Sequence, residues 1–407
     1  MASPSVAAAT SILFGLAPAV GVSGVSPNEA IKEQGRSTSY GRRVGLRNGL
    51  VVLQVALSLT LVVAAGLFSR TFFALTSRDA GFDRNAILLM NVDLQQSGVV
   101  PQLRGEAFDR LRESAAAVPG VAHVGMSVIS PLSGSGWNAA IDTPASASLG
   151  PRQRMSWVNA VSPGWFATYG IRLAAGRDIS AADREGSPKV AIVNRAFASR
   201  FFNGENPVGR QFALDEPGGA SISYHVVGLV ENAVYRSLRS EMPPTMYISI
   251  PQAERIGARM SFGITAASGT PTALVRSLTD AIGHVDPRAA ITFRSMSDQV
   301  AGTLTQERLV ARLSMFFGGL ALLLAALGLY GVTSYAVSRR RTEIGIRMAL
   351  GADPSGVTRL VLWRVAWLVV IGVAVGAAMS LWASKFVSTL LYGLEPRDPA
   401  TFLGAAL

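Results

Sequence analysis

Three long uncharged segments limit what this chain of 407 residues can fold into. They run from Asn48 to Ser69, from Leu313 to Val337 and from Val365 to Ser384. A helix needs about 20 apolar residues to cross the ~30 Å hydrocarbon core of a bilayer, and each segment is long enough. Only 15% of the residues are charged and the mean hydropathy is +0.33, values typical of a membrane protein with a large polar portion. We therefore predict a multi-pass α-helical membrane protein.

Basic residues indicate which side of the membrane each connecting segment occupies. They cluster before the first span and after the second, at Arg42, Arg43, Arg47, Arg339, Arg340 and Arg341. Short loops rich in arginine and lysine remain in the cytoplasm. The long segment between these two spans is then outside, as a periplasmic domain of a bacterial inner-membrane protein. The chain has no cysteine, which excludes disulfides and thiolate metal sites.

Hydrophobic periodicity predicts an α+β fold for the extracytoplasmic domain. Residues 86–129 give one strand-helix-strand pattern, and residues 260–293 give a second. Between them, about residues 151–250 form an inserted lobe that is mainly β, with buried-strand runs such as KVAIVN and MYISI. Two strand-helix-strand units can pack as one compact layer.

The stretch SRRRTEIGIRMALGADP, from Ser338, joins the second and third spans. Glu343 and Arg347 have the spacing of a helix-stabilising pair, and Gly351 suits the end of a helix. Asp353 followed by Pro354 is a typical start for the next helix. The sequence therefore predicts a short basic helix, a sharp turn and a new helix from Pro354.

A basic loop that only fixes membrane orientation is the alternative interpretation of this stretch. It accounts for the arginines but not for the ordered caps. Nor does it account for the apolar side chains outside the predicted spans, which are Ile344, Ile346, Met348 and Leu350.

Two features of the spans predict helix contacts. Gln54, within the first span, is more typical of an interhelical contact than of a transport pathway. Gly372 and Gly376 form a GxxxG pattern in the third span, which permits close packing and gives some support for a dimer.

Motifs for catalysis are missing from the sequence. There is no GxxxxGK[ST] phosphate loop, so the chain is not expected to hydrolyse ATP by itself. His123, His225 and His284 are isolated from one another and from any HExxH pattern, and structural roles are expected for them. We predict no catalytic, cofactor-binding or metal-binding residues, and no nucleic-acid binding, because the basic clusters flank spans where lipid headgroups explain them.

Three stretches carry a resemblance to a known family. They are VSPGWFATYGIRLAAGRDIS with VAIVNRAFASRFFNGENPVGRQF, from Val161 and Val190; SRRRTEIGIRMALGA, from Ser338; and LLYGLEPRDPATFLGAAL, from Leu390. With them the chain resembles permeases of the macrolide-exporter and lipoprotein-release class of ABC systems, most closely the duplicated permeases of acidobacteria. The resemblance implies four transmembrane helices, with a large extracytoplasmic domain between the first two.

The resemblance also implies that the loop between the second and third spans docks on a cytoplasmic ABC ATPase, which binds the ATP. The residues expected to carry this coupling are Arg339, Arg340, Arg341, Glu343, Ile344, Gly345, Ile346, Arg347, Leu350 and Gly351. Other expected partners are membrane lipid and a periplasmic adaptor or substrate. The chain would work as a tandem pseudo-dimer or as a homodimer.

On this interpretation the chain joins the end of one permease unit to most of a second. The predicted segments are 1–25, the last transmembrane helix of the preceding unit; 26–47, a cytoplasmic linker; 48–69, a transmembrane helix; 70–308, the extracytoplasmic domain; 309–337, a transmembrane helix; 338–358, the cytoplasmic coupling helix; 359–385, a transmembrane helix; 386–399, an extracytoplasmic loop; and 400–407, the start of a truncated transmembrane helix.

The function hypothesis is a non-enzymatic permease subunit that transmits ATP-driven motion to the outside domain, for export or efflux of a lipid, peptide or antibiotic-like substrate. The alternative hypothesis is a non-exporting membrane scaffold or sensor that regulates an extracytoplasmic partner.

Overall fold

The computed structural model describes residues 38–215, 221–239, 242–253, 256–339, 341–351 and 354–387. Its helices are α1 (Thr38–Ser77), α2 (Arg104–Ala116), α3 (Trp165–Tyr169), α4 (Arg195–Phe201), α5 (Val275–Val285), α6 (Met296–Thr303), α7 (Thr305–Arg339), α8 (Arg341–Ala349) and α9 (Pro354–Val387). Its strands are β1 (Ile87–Asp93), β2 (Val121–Ser127), β3 (Trp137–Asp142), β4 (Met155–Val161), β5 (Leu173–Gly176), β6 (Val190–Asn194), β7 (Gln211–Asp215), β8 (Ser221–Val230), β9 (Thr245–Ser249), β10 (Arg259–Ala266) and β11 (Ala290–Ser295). The expectations for residues 1–37 and 388–407 lie outside the described residues.

The described residues fall into two compact units. One unit spans Leu67–Leu313, and the other contains the described residues before and after it. Among the described residues, three helices are long and apolar enough to cross a membrane: Asn48–Ser77, Thr305–Tyr335 and Val365–Ala383. Helices α1, α7 and α9, to which these spans belong, contain the three apolar segments that the sequence predicts as helices.

The first helix corrects one expectation. Residues 38–47 continue α1 without a break, where the sequence predicts part of a flexible linker. The two glycines and the one serine of this stretch cost helix stability, at most about 1 kcal/mol each. Adding turns to an existing helix avoids the unfavourable nucleation step, so a long neighbouring apolar helix can extend through them.

Polar contacts join α1 to α7. The Ser58 hydroxyl donates a hydrogen bond to the Ala321 carbonyl at 2.9 Å. Gln54 packs directly against Gly328, where an added Cβ would lie 2.5 Å from the Gln54 Oε1. The structure thus places Gln54 at a helix-helix contact, as the interhelical interpretation predicts.

The GxxxG pattern of α9 packs against α1 of the same chain. A Cβ added at Gly372 would lie 2.7 Å from the Val55 Cβ, and one added at Gly376 would lie 2.8 Å from the Ala56 carbonyl oxygen. Close approach is what such glycines permit. Because this approach is satisfied within the chain, the pattern provides no argument for a dimer.

The two predicted strand-helix-strand units combine into one antiparallel layer in the order β11-β1-β10-β2. Strand β10 lies between β1 and β2, which is a split β-α-β arrangement. Helices α2 and α5 pack together, and the Ser114 hydroxyl donates to the Ala281 carbonyl at 3.1 Å. The strands and helices predicted in residues 86–129 and 260–293 are confirmed.

The strands of the lobe close into a ring. Pairings run β4-β3-β7-β8-β6-β9 and return from β9 to β4. The ring joins the layer where Ser127 of β2 pairs with Val161 of β4. Closure leaves its strands without the free edges that promote aggregation.

Two hydrophobic clusters stabilise the unit Leu67–Leu313. The larger one fills the space below α2 and α5 and continues along alternate residues of the ring strands, for example Met246 and Ile248 of β9. The second lies on the other face of the sheet, where α3 brings Trp165 and Tyr169 against β10 and β2. Strand β1 contributes to both clusters, which explains its nearly unbroken apolar run.

Candidate coupling site

The basic stretch after α7 folds into a short helix. Helix α8 occupies Arg341–Ala349, and the Leu350 N–H closes its last turn by donating to the Ile346 carbonyl at 3.0 Å. Gly351 has φ +87°, a left-handed conformation that side chains rarely adopt and that ends many helices. Helix α9 begins at Pro354. The predicted short helix, the turn at Gly351 and the second helix are therefore confirmed, while the predicted cap at Asp353 lies outside the described residues.

Apolar side chains project from this basic helix. Ile346 is 57% exposed and Leu350 is 82% exposed. Their separation of four residues places them on neighbouring turns of one face. Arg341 and Thr342 are exposed beside them. We refer to Arg341, Thr342, Gly345, Ile346 and Leu350 as the α8 surface.

The structure describes only part of the predicted coupling set. The described members are Arg341, Gly345, Ile346, Leu350 and Gly351, which are exposed along α8 and the turn that follows it. Arg340 and the side chains of Arg339, Glu343, Ile344 and Arg347 lie outside the described part. The α8 surface combines charge with adjacent exposed apolar groups, a composition typical of protein contacts.

A second group of polar contacts ties together the end of the domain from which α1 and α7 extend. The Arg239 Nε lies 2.8 Å from Oε1 of Glu307, in the first turn of α7. Arg78, just after α1, donates to the carbonyl of Leu238. The loop before β9 is therefore attached both to the end of α1 and to the start of α7. Sequence reasoning missed these contacts, because no short motif links residues so far apart in the chain.

Carboxylates of the ring act in structural ion pairs. Arg172 and Arg195 both donate to Glu231, at 3.0 and 2.7 Å, and these hydrogen bonds hold the pKa of Glu231 below its usual range. The Arg177 guanidinium lowers the pKa of Asp183 in the same way. In such pairs the arginine stabilises the ionised form of the carboxylate.

The three histidines lie in three different elements of the fold. His123 lies in β2, His225 in β8 and His284 in the last turn of α5. Within the described ranges, no group of three or more histidine, aspartate or glutamate side chains could hold a metal ion.

Two known protein families match the chain. Residues 49–282, more than half of it, match the family described as MacB-like periplasmic core domain. Residues 315–405 match the family described as FtsX-like permease C-terminal. The chain therefore belongs to the family of ABC transporter permeases that carry a MacB-like periplasmic core domain.

Individual relatives are distant. The chain is 23% identical over 248 residues to the macrolide export ATP-binding/permease protein MacB of Acinetobacter baylyi, which covers 58% of this chain and 36% of that protein. It is 23% identical over 241 residues to the probable syringafactin export ATP-binding/permease protein SyfD of Pseudomonas syringae pv. tomato, covering 57% and 35%. The chain thus spans about a third of the length of these relatives.

Part of the chain is similar to a solved structure. The periplasmic region of MacB from Actinobacillus actinomycetemcomitans aligns with 57% of this chain and 97% of its own, at 14% identity and a TM-score of 0.36.

Proposed function

We propose that this chain is the permease part of an ABC export system in the bacterial inner membrane, and that the α8 surface docks on a cytoplasmic ATPase. One observation carries the proposal. A basic helix between two membrane-length helices exposes Ile346 and Leu350. A polar loop without a partner would not be expected to expose two large apolar side chains to water. Exposed apolar groups become stabilising when a partner covers them.

ATP would bind to the partner and not to this chain, because the sequence has no phosphate loop. The names of the two relatives join ATP-binding and permease parts. These names refer to macrolide and to syringafactin export, which is compatible with a lipid, peptide or antibiotic-like cargo here. A periplasmic adaptor is a further proposed partner.

Motion would pass outward through α7 and α9, which flank α8 directly in the chain. Helices are stiff enough to carry a displacement over their length. At the far end of α7, Glu307 pairs with Arg239 of the extracytoplasmic domain. A push on α8 would thereby reach that domain through one continuous helix and one ion pair.

Co-expression of the full chain with candidate ATPases tests the docking role, with co-purification and stimulated ATP hydrolysis as the measurements. Leu350→Asp places a charge in the proposed contact, and we expect at least about a tenfold loss of stimulation, as for an interface residue of high importance. Leu103→Asp is the matched control, because Leu103 is a half-exposed leucine of the extracytoplasmic domain.

Normal stimulation by the Leu350→Asp chain would remove the docking assignment. An equal loss in the Leu103→Asp chain would show that the effect is not specific to α8. Failure of every candidate ATPase to bind would favour a membrane scaffold or sensor.

A further inference from the structure

A cavity of about 380 Å³ lies within the unit Leu67–Leu313. Residues from the end of α1, the segment after it, α6 and the first turn of α7 line this cavity. They are Phe72, Thr76, Arg84, Asn85, Ser297, Val300, Ala301, Leu304 and Arg308. Helices α1 and α7 continue from here into their long apolar segments. The cavity therefore lies at the level where those helices would leave the hydrocarbon core and reach lipid headgroups.

One wall of the cavity is apolar. Val300 and Leu304 are buried members of the second hydrophobic cluster, and Phe72 packs against that cluster. Ala301 is exposed beside them. This wall offers the upper part of an acyl chain a surface of matching polarity.

The other feature of the cavity is positive charge without a carboxylate. Its described lining contains Arg84 and Arg308 but neither aspartate nor glutamate. Two carboxylates follow α1 in the chain. Asp79 accepts from the Gly81 N–H and its negative charge also acts on Arg84, and Asp83 accepts from the Asn85 N–H.

The two arginines have different environments. Arg84 is half-buried and donates to backbone carbonyls, including that of Thr76 at 2.7 Å. Burial lowers the pKa of its guanidinium. Arg308 is exposed, and its guanidinium forms no hydrogen bond or ion pair with the described side chains or backbone. A planar guanidinium pairs well with a phosphate, so an anion beside both groups would complete the site.

We propose that this cavity binds the headgroup of an anionic phospholipid from the outer leaflet, with its phosphate on Arg308 and Arg84 and its apolar part against Val300, Ala301 and Leu304. The lipid would brace the end of α1 and the first turn of α7 against α6, all within the unit Leu67–Leu313. The proposal requires that α1 and α7 span the membrane, but it does not depend on ATPase docking.

The test uses the full chain in nanodiscs that contain phosphatidylcholine and phosphatidylglycerol, with native mass spectrometry to count retained phosphatidylglycerol. Arg308→Gln should lower its retention roughly tenfold, as expected for loss of one charge-assisted hydrogen bond. Ala301→Phe fills the apolar side without changing charge and should also lower retention. Arg312→Gln is the matched control, because Arg312 is exposed one turn further along α7 and does not line the cavity.

Three results would overturn the proposal. The first is unchanged phosphatidylglycerol retention in the Arg308→Gln chain. The second is an equal reduction in the Arg312→Gln chain, which would indicate attraction by general surface charge. Displacement of the lipid by inorganic phosphate, together with normal retention in the Ala301→Phe chain, would identify a site for small anions. Reduced phosphatidylglycerol retention in the Arg308→Gln and Ala301→Phe chains but not in the Arg312→Gln chain, without displacement by phosphate, supports a lipid headgroup.

Discussion

Arg239 and Glu307 join the loop before β9 to the first turn of α7, with 2.8 Å between Nε and Oε1. The geometry is that of an ion pair rather than of an aligned hydrogen bond, since this Nε has no hydrogen-bond partner among the described residues. The Glu307 side chain is only 10% exposed, and that of Arg239 is 36% exposed. The pair is therefore shielded from solvent more than most surface pairs. Removal of the Arg239 charge would leave the Glu307 carboxylate both unpaired and poorly hydrated.

Charge exchange tests this pair. Arg239→Glu or Glu307→Arg alone should lower the free energy of unfolding by about 1–2 kcal/mol, between the values for exposed and buried ion pairs. The double exchange should recover more than half of the loss. Thermal unfolding of the purified full chain provides the measurement.

The pair formed by Arg210 and Glu205 is the matched control, because both side chains are about half-exposed. Exchange of either residue there should cost about 0.5 kcal/mol or less. Equal losses at the two pairs, or no recovery in the double exchange of Arg239 and Glu307, would argue against a bracing role.

Local patterns allowed much of the fold to be predicted. The alternation in Arg259–Ala266 and the helical stripe in Val275–Val285 depend on neighbouring residues, so sequence alone reveals them. The helix boundaries around Gly351 and Pro354 follow for the same reason. The basic helix could therefore be predicted before its exposed side chains were known.

Long-range pairings could not be predicted in this way. The ring closes where β4 runs parallel to β9, with Trp157 opposite Thr245, and no turn sequence fixes that register. The ion pair of Arg239 with Glu307 depends on the same tertiary closure. A GxxxG pattern predicts close approach but not which helix approaches, so the packing of Gly376 on Ala56 also required the structure.

Substitution of Gly376 tests the contact between α1 and α9. The Cβ of Gly376→Ala would meet the Ala56 backbone, with 2.8 Å to the carbonyl oxygen and 3.0 Å to Cα. Backbone atoms cannot move away by changing rotamer as a side chain can, so the helices must separate. We expect the free energy of unfolding to fall by about 1–3 kcal/mol. Thermal unfolding in detergent measures it.

Gly319→Ala in α7 is the control, because nothing lies within 4 Å of its added Cβ. This variant should be neutral or slightly stabilising, as alanine favours the helix. A Gly376→Ala chain as stable as the parent would exclude tight packing of α9 on α1.

Gly125 of β2 allows α3 to lie directly on the sheet. An added Cβ would be 2.7 Å from the Trp165 Cα and 2.9 Å from the Thr168 Oγ1. Gly125→Ala should therefore displace α3 and lower stability by about 1–3 kcal/mol, with a change in near-ultraviolet circular dichroism from Trp165.

Gly283→Ala is expected to raise stability, in contrast to Gly125→Ala. Gly283 lies within α5, and no atom is within 4 Å of an added Cβ. The change should raise stability by up to about 1 kcal/mol, because glycine is the poorer helix former. Similar losses of stability in the Gly125→Ala and Gly283→Ala chains would mean that crowding around the added Cβ does not determine the effect.

Asp183 makes the stability of the ring depend on pH. Its buried carboxylate accepts from both terminal nitrogens of Arg177, at 2.7 and 2.8 Å, and from the Ser180 N–H at 2.8 Å. These donors lower the pKa of Asp183, so the folded state favours the ionised form. The stability this contributes is present above the ordinary carboxylate pKa of about 4 and is lost as the pH falls through the lowered value.

Asp183→Asn should therefore cost about 2 kcal/mol at neutral pH, and the difference from the parent chain should shrink below about pH 4. Unfolding midpoints across pH measure this, with the exposed Asp280→Asn as a control expected to stay within about 0.5 kcal/mol of the parent. A constant deficit of the Asp183→Asn chain at every pH would mean that packing, and not charge, accounts for its role.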